Sequence, residues 1–452
     1  MKIIIVGGGK TGATLAHTLT DEGHDVTVVD SRAERVNSIC GDNDVMGLVG
    51  NGMNYSALSE AGIAEADLLI AVTGSDEQNL LCCLFARKGG GCATIARIRN
   101  PLFINETEFI KEQVGLSMAI NPEYAAALEI SRLLRFPSAI DINSFSKGQA
   151  ELLTFKVPGD SLLVGKTLTE IRSKLDVNVL FCSVERNGQF TIPSGNFTLQ
   201  AGDKTSIFIQ PKEAHRFFKQ IKLDTHSVKD VMIVGGGTIA YYLAKMLLDA
   251  RIAVKIIEQD PERCDELADR LPGALIINGD ASDKSLLLEE GITSTDAFVT
   301  LTGFDEENVL LSLYAKEIAN TKVITKIGRP IFSELIANLN LDSVVYPHSI
   351  TAENILQYVR ARQNAMGNNV ETLYKLVEDQ VEALEFNIQE KVNGLIGIPL
   401  KDLSLKKNLI ICGIVRDRKF ILPGGDSTIE VGDRVIVVSG QKKLNDLKDI
   451  LK

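Results

Sequence analysis

Residues 1–30 read MKIIIVGGGKTGATLAHTLTDEGHDVTVVD, and residues 231–260 read VMIVGGGTIAYYLAKMLLDARIAVKIIEQD. The first stretch opens on a continuous apolar run of strand length, Lys2 to Val6, and runs at once into Gly7-Gly8-Gly9-Lys10-Thr11-Gly12. A helical pattern with Leu15, Ala16 and Leu19 on one face follows. Strand, tight turn and helix in that order give G-x-G-x-x-G its steric logic: Gly7 permits the turn, Gly9 lets the backbone approach a pyrophosphate, and Gly12 lets helix and strand pack closely. The phosphate then rests on the helix N-terminus, where unpaired N–H groups collect. Asp30 closes the next strand, DVTVVD, about where a carboxylate can accept hydrogen bonds from ribose hydroxyls. An acid there favours NAD over NADP, whose 2′-phosphate meets a like charge.

The pattern continues as alternating strands and helices: ADLLIAVTG at 66–74, DEQNLLCCLFARKG at 76–89 and ATIARI at 93–98. This predicts a doubly wound parallel sheet, α/β in class. Ligands of such sheets lie beyond the carboxyl ends of the strands, which places Thr73 and Gly74 after the fourth strand, and Arg97 at the end of the fifth, around the same cleft. Arg97 has the right chemistry to pair with a phosphate.

The second stretch makes the chain an internal duplication. With Gly7 set against Gly235, Asp30 falls opposite Glu258; after a drift of one residue AVTGSDEQN (71–79) falls opposite TLTGFDEEN (300–308), Arg97 opposite Lys326 and Pro101 opposite Pro330. Such agreement must be settled before the fold is assigned. The segments that follow each copy also match: LLVGKTLTEI (162–171) with LIGIPLKDL (395–403), and NGQFTIPSGNFTLQAGDKTSIFI (187–209) with DRKFILPGGDSTIEVGDRVIVV (417–438). Each reads as a small α+β unit of short strands with Gly-Asp turns. The expected order is a Rossmann lobe at 1–136, a small lobe at 137–224, a second Rossmann lobe at 225–364 and a second small lobe at 365–452. Between the lobes, INPEYAAALEISRLLRFP (120–137) and YPHSITAENILQYVRARQN (346–364) carry apolar residues at helical spacing. They suit crossover or dimerisation helices, and the apolar stripe from Pro122 to Leu134 requires a neighbour to cover it. The expectation is a chain that is not a monomer.

Composition narrows the function. The chain has 452 residues and a formal net charge of -11, with no Lys/Arg run fit for a nucleic-acid arm. No stretch reads as a signal peptide or approaches the roughly 18 to 20 apolar residues that span a bilayer, so a cytoplasmic protein is expected. The seven cysteines lie mostly inside apolar runs such as LLCCLF and VLFCSV, which predicts buried free thiols rather than a disulfide framework or zinc site. An NAD-dependent oxidoreductase is the rival reading. It needs an acid or base beside the nicotinamide, yet none of the five histidines, His17, His24, His215, His226 and His348, stands with a Lys or Asp in a catalytic order. Lys10-Thr11 mimics the end of a P-loop but lacks its spacing. The residues favour a non-catalytic nucleotide sensor.

The ordered motifs IIIVGGGKTG with Asp30, AVTGSDEQN, IARIRNP, INPEYAAALEISRLL and GDASDKSLLLEEG resemble those of the regulatory subunits of Trk potassium-uptake systems, which carry two RCK domains in tandem. The resemblance covers the whole chain. It implies binding of NAD(H) and of ATP or ADP, assembly of a homo-oligomer, a tetrameric ring in the usual form, and a peripheral place on the inner face of the membrane. It further implies control of a potassium-translocating partner of the TrkH/TrkG kind. The family's nucleotide contacts fall here on Gly7, Gly8, Gly9, Lys10, Thr11 and Gly12, with Asp30, Thr73, Gly74 and Arg97. In the second copy they fall on Gly235, Gly236, Gly237, Thr238 and Ile239, with Glu258, Thr302, Gly303 and Lys326. Two departures weaken the second site: Ala240 stands where the third glycine is expected, and lysine at 326 cannot make the bidentate contact of arginine.

Overall fold

The structure is a computed structural model that describes the chain outside residues 43, 101–106, 137–138, 147, 224–227, 320, 330–335, 337–338, 340, 365–369, 378–380, 390–393, 418, 441–443 and 445. Pro101, Pro330 and His226 therefore lie outside the described residues.

The first lobe runs β1 (Lys2–Val6), α1 (Lys10–Asp21), β2 (Asp25–Asp30), α2 (Ala33–Asp42), β3 (Met46–Val49), α3 (Tyr55–Glu60), β4 (Leu68–Ala71), α4 (Asp76–Gly89), β5 (Ala93–Arg97), α5 (Thr107–Val114), β6 (Met118–Ile120) and α6 (Pro122–Arg135). Its six parallel strands lie in the order β3-β2-β1-β4-β5-β6. The near-continuous apolar runs follow from burial on both faces: Ile3 to Val6 and Leu68 to Ala71 are all buried. The order reverses between β1 and β4, and a cleft opens there beyond the strand ends.

The small lobe that follows contains β7 (Asp141–Phe145), β8 (Ala150–Lys156), α7 (Leu168–Lys174), β9 (Val179–Arg186), β10 (Gln189–Thr191), β11 (Lys204–Ile209) and α8 (Pro211–Gln220), with an antiparallel sheet ordered β10-β9-β11-β8-β7. The second half repeats the first: β12 (Asp230–Val234), α9 (Thr238–Asp249), β13 (Ala253–Glu258), α10 (Pro261–Arg270), β14 (Leu275–Asn278), α11 (Lys284–Glu289), β15 (Ala297–Thr300), α12 (Asp305–Ile318), β16 (Lys322–Lys326), β17 (Ser343–Val345) and α13 (Pro347–Asn364). This sheet is ordered β14-β13-β12-β15-β16-β17, the same winding as the first. The last sheet, β18 (Val370–Val377), β19 (Val381–Asn387), β20 (Leu409–Arg416), β21 (Lys419–Ile421) and β22 (Arg434–Ser439), repeats the first small sheet strand for strand. The fold class read from the sequence is the one observed.

The two halves exchange helices. Asn121 caps α6 by accepting from the Tyr124 N–H at 2.8 Å, and Pro122 opens the helix where its missing N–H costs nothing. The helix then leaves its own lobe: Ala126, Ala127, Ile130, Leu133 and Leu134 enter one core with Ala240, Leu243 and Leu247 of α9. Tyr124 meets Tyr242 edge to face, with ring centroids 5.6 Å apart. In return α13 sends Ala352, Ile355, Leu356 and Val359 into the first lobe's core beside Leu15, Ala16 and Leu19. Burying Ile355, Leu356 and Val359 contributes on the order of 5 to 9 kcal/mol as an upper estimate. Arg360 adds an ion pair to Glu22.

This corrects the expectation drawn from the apolar stripe. Pro122 to Leu134 does find a neighbour, but the neighbour is the other half of the same chain, so the stripe is no argument for a second copy. The small lobes also meet face to face: Phe145, Leu152, Cys182 and Phe208 share a cluster with Ala383, Cys412, Ile436 and Val438. The buried Glu385 accepts from the backbone N–H and the hydroxyl of Ser146, at 3.1 and 2.5 Å. All seven cysteines are free and six are buried; burial pushes the Cys82 thiol up to about 12 and raises that of Cys83 well above the ordinary thiol range.

Candidate functional site: two glycine loops at one seam

In the first lobe the chain leaves β1 through Gly7 at φ +109°, a conformation that favours glycine, and a Cβ there would stand 2.9 Å from the Thr73 nitrogen. A Cβ at Gly12 would stand 1.9 Å from the Gly7 carbonyl oxygen, so helix and turn touch through bare backbone. At Gly9 a Cβ would meet nothing within 4 Å: the space above the loop is open. Gly9 is the N-cap of α1, no side chain caps it, and the first turn carries no acid. The free N–H groups and the helix dipole leave this end open to an anion.

Asp30, 8% exposed, accepts from the Gly8 N–H at 2.7 Å and the Arg32 N–H at 2.9 Å. Its carboxylate thus fixes the loop to the end of β2. On the other wall, the Thr73 N–H and hydroxyl both donate to Asn79 Oδ1, at 2.7 and 2.8 Å, and the Asn79 amide donates to the Arg97 carbonyl at 2.9 Å. Arg97 Nη2 donates to the Thr73 carbonyl at 2.5 Å, while its buried Nε has no partner. Desolvation lowers the Arg97 pKa. Asp76 accepts from the N–H groups of Arg99 and Asn100, each at 2.8 Å.

The second lobe repeats the device with changed parts. Gly235 takes φ +92°, and Glu258 accepts from the Gly236 N–H at 2.6 Å and the Asp260 N–H at 2.9 Å. The Thr302 N–H donates to Asn308 Oδ1 at 2.9 Å, and the Asn308 amide donates to the Lys326 carbonyl at 3.1 Å. Lys326 Nζ donates to the Thr302 carbonyl at 2.5 Å, standing where Arg97 stands. Asp305 accepts from the Gly328 N–H at 2.8 Å. Ala240 is fully buried, so this turn admits the methyl group that the first turn excludes.

Gly7–Gly12, Asp30, Thr73, Gly74 and Arg97 thus surround one cleft, and Gly235–Ile239, Glu258, Thr302, Gly303 and Lys326 surround its counterpart. Two further sets were not singled out from the sequence. Asn79 and Asn308, both fully buried, tie the strand-four turn to the end of strand five in each lobe; their repetition at the end of DEQN and DEEN was the available signal. The other is His348, whose Nδ1 lies 3.0 Å from Thr11 Oγ1 although it belongs to the second repeat. Nothing in its local sequence marks it.

Among the described residues no group of three or more His, Cys, Asp and Glu is placed to hold a metal ion, and no helix is long and apolar enough to cross a membrane. Fold and site define a class: a tandem pair of Rossmann lobes with glycine-loop clefts, each followed by a small antiparallel lobe. The family comparisons agree in detail. The TrkA-N domain matches residues 3–122 and 231–347, and the TrkA-C domain matches residues 152–222 and 384–452. The chain is 34% identical to the Trk system potassium uptake protein TrkA homolog of Archaeoglobus fulgidus, each chain covered completely. It is 32% identical to the Trk system potassium uptake protein TrkA of Haemophilus influenzae over 98% of this chain and 96% of that one. It belongs to the TrkA family. The GsuK RCK domain has the same fold, with a TM-score of 0.62 at 18% identity over 98% of this chain and 92% of that one, as has the GsuK channel bound to NAD, with 0.63 at 16% over 98% and 77%.

Proposed function

We propose that the protein is a nucleotide-sensing regulatory subunit of a Trk-type potassium-uptake system, which binds NAD(H) and ATP or ADP in its glycine-loop clefts and passes their occupancy to a potassium-translocating membrane partner. The observation that carries the nucleotide reading is the first cleft: an uncapped helix N-terminus over open space, with the buried carboxylate of Asp30 at the end of β2 and an arginine with a partnerless Nε on the far wall. Potassium uptake is the system named for relatives of 32 to 34% identity over nearly the full chain, and a solved structure of the same fold is a channel bound to NAD.

The residues around the two clefts are the proposed contacts, and the four lobes are bounded as 1–136, 137–224, 225–364 and 365–452. The subunit works from the cytoplasmic face, as a homo-oligomer, and without catalysis. Duplication suits such a role, since a ligand shifts an equilibrium only by its differential affinity for two states and linked sites add their biases. Two lobes that share helices cannot reorient independently, so both clefts act on one seam.

Calorimetry with NADH, ADP and ATP, paired with NADH absorbance, tests this reading. Binding without turnover supports it. Oxidation of NADH by the pure protein in the presence of a small carbonyl substrate sinks it in favour of an oxidoreductase.

A further inference from the structure

The exchanged helices enter the seam from opposite sides, and equivalent positions in them carry different chemistry: Glu123 is the second residue of α6 and His348 the second residue of α13. His348 reaches the glycine loop of the other repeat through its 3.0 Å contact with the buried Thr11. The charged groups that act on its ring come from four elements: Lys10 at the start of α1, Arg97 at the end of β5, Lys326 at the end of β16, and Asp305 at the start of α12. Asp305, the only anion of the set, is committed elsewhere, to the Gly328 N–H at 2.8 Å and to Arg329 at 3.3 Å. Arg97 keeps a buried Nε without a partner. Glu123 and Asp76 also act on Arg97, but burial holds the Glu123 pKa up and Asp76 already accepts from the Arg99 and Asn100 N–H groups, which leaves the cations around the imidazole with positive charge to be neutralised. An anion with several oxygens neutralises it, and the N-terminus of α1 points to the same place.

We propose that His348 is a phosphate-binding residue lent by the second repeat to the glycine-loop cleft of the first. The inference rests on the nucleotide reading of that cleft and adds a consequence. Burial, with Lys10, Arg97 and Lys326 nearby, holds the imidazole down to about 4, so it is neutral in the free protein near pH 7. A phosphate beside it favours the charged form, so binding takes up a proton. Because the bound form then holds more protons than the free form, affinity rises as pH falls. If the ligand restores the ordinary value of about 6.5, NAD binds roughly twentyfold more tightly at pH 5 than at pH 7.

The test is calorimetry of the full chain with NAD, whose pyrophosphate does not titrate in this range, at pH 6 in buffers of differing ionisation enthalpy. The proposal expects uptake of about 0.75 proton per first-lobe site. His348→Gln should abolish the uptake and flatten the pH dependence, and His348→Lys, with a fixed charge, should bind without uptake. Wild-type binding with no proton uptake, or an unchanged pH slope in His348→Gln, overturns the assignment of His348 and leaves the nucleotide site standing. If the wild type binds neither NAD, ADP nor ATP, the nucleotide reading falls and takes this inference with it.

Discussion

The two Rossmann lobes share a strand order, a loop conformation and an asparagine clamp, yet their turns are closed differently. In the first, a methyl group at Gly12 would lie 1.9 Å from a carbonyl oxygen; in the second, Ala240 occupies that place and is fully buried. The first wall carries Arg97, which bonds the Thr73 carbonyl through Nη2 and keeps a partnerless Nε, and the second carries Lys326, whose single Nζ bonds the Thr302 carbonyl. The first loop is also the one touched by His348. Duplication thus conserved the scaffold of the cleft while its charge and closeness of approach diverged. The difference teaches that the first lobe is the better built for a phosphate, and that the second need not respond to the same ligand in the same way.

The largest effects should come from the exchanged helices, where the halves are alike. Ile355→Ala removes a buried side chain of α13 from the first lobe's core, and Ile130→Ala does the same for α6 in the second. Each should cost about 2 to 5 kcal/mol in chemical denaturation. If Ile130→Ala left stability within error of wild type, α6 would not be buried as described, and a covering second copy would return as the explanation.

The turns themselves should separate the lobes. Gly12→Ala forces a methyl group onto the Gly7 carbonyl and should weaken nucleotide binding in the first cleft by roughly tenfold to a hundredfold, through about 1 to 3 kcal/mol of strain. Ala240→Gly should cost only about 0.5 to 1 kcal/mol of helix stability and leave affinity nearly unchanged. Equal effects of the two in calorimetry would erase the distinction between the turns.

The acids give a gentler comparison. Asp30→Asn keeps the shape but lowers the acceptor strength toward the Gly8 and Arg32 N–H groups and toward a ribose, and a loss of roughly tenfold in NADH affinity is expected. Glu258→Gln should change the measured affinity less, because the second cleft contributes less to it. A larger effect from Glu258→Gln would reverse the ranking of the two sites.

Much of this was legible in the sequence because repetition supplies its own control. The glycines, Asp30 and Glu258, and the strand-four turn recur in register, and each has a steric or electrostatic reason to be where it is. What was not legible depends on which surfaces meet. An apolar stripe from Pro122 to Leu134 states that the helix needs cover, but not whether another chain or the other half supplies it. Asn79 and Asn308 read as polar positions on a helix until the fold brings their amides against a strand end. His348 lies 337 positions from Thr11, and no local pattern announces a contact made only when the halves exchange helices.

The central claim is that nucleotide occupancy at the seam is read out as ion flux, and it is tested most directly in liposomes that hold a Trk-type membrane protein. Rubidium uptake is followed with and without this chain, and with NADH, ADP or ATP added. The account predicts that flux depends on the nucleotide when this chain is present, and that Gly12→Ala abolishes the dependence while the two proteins still co-purify. Co-purification with a flux that ignores every nucleotide would contradict it.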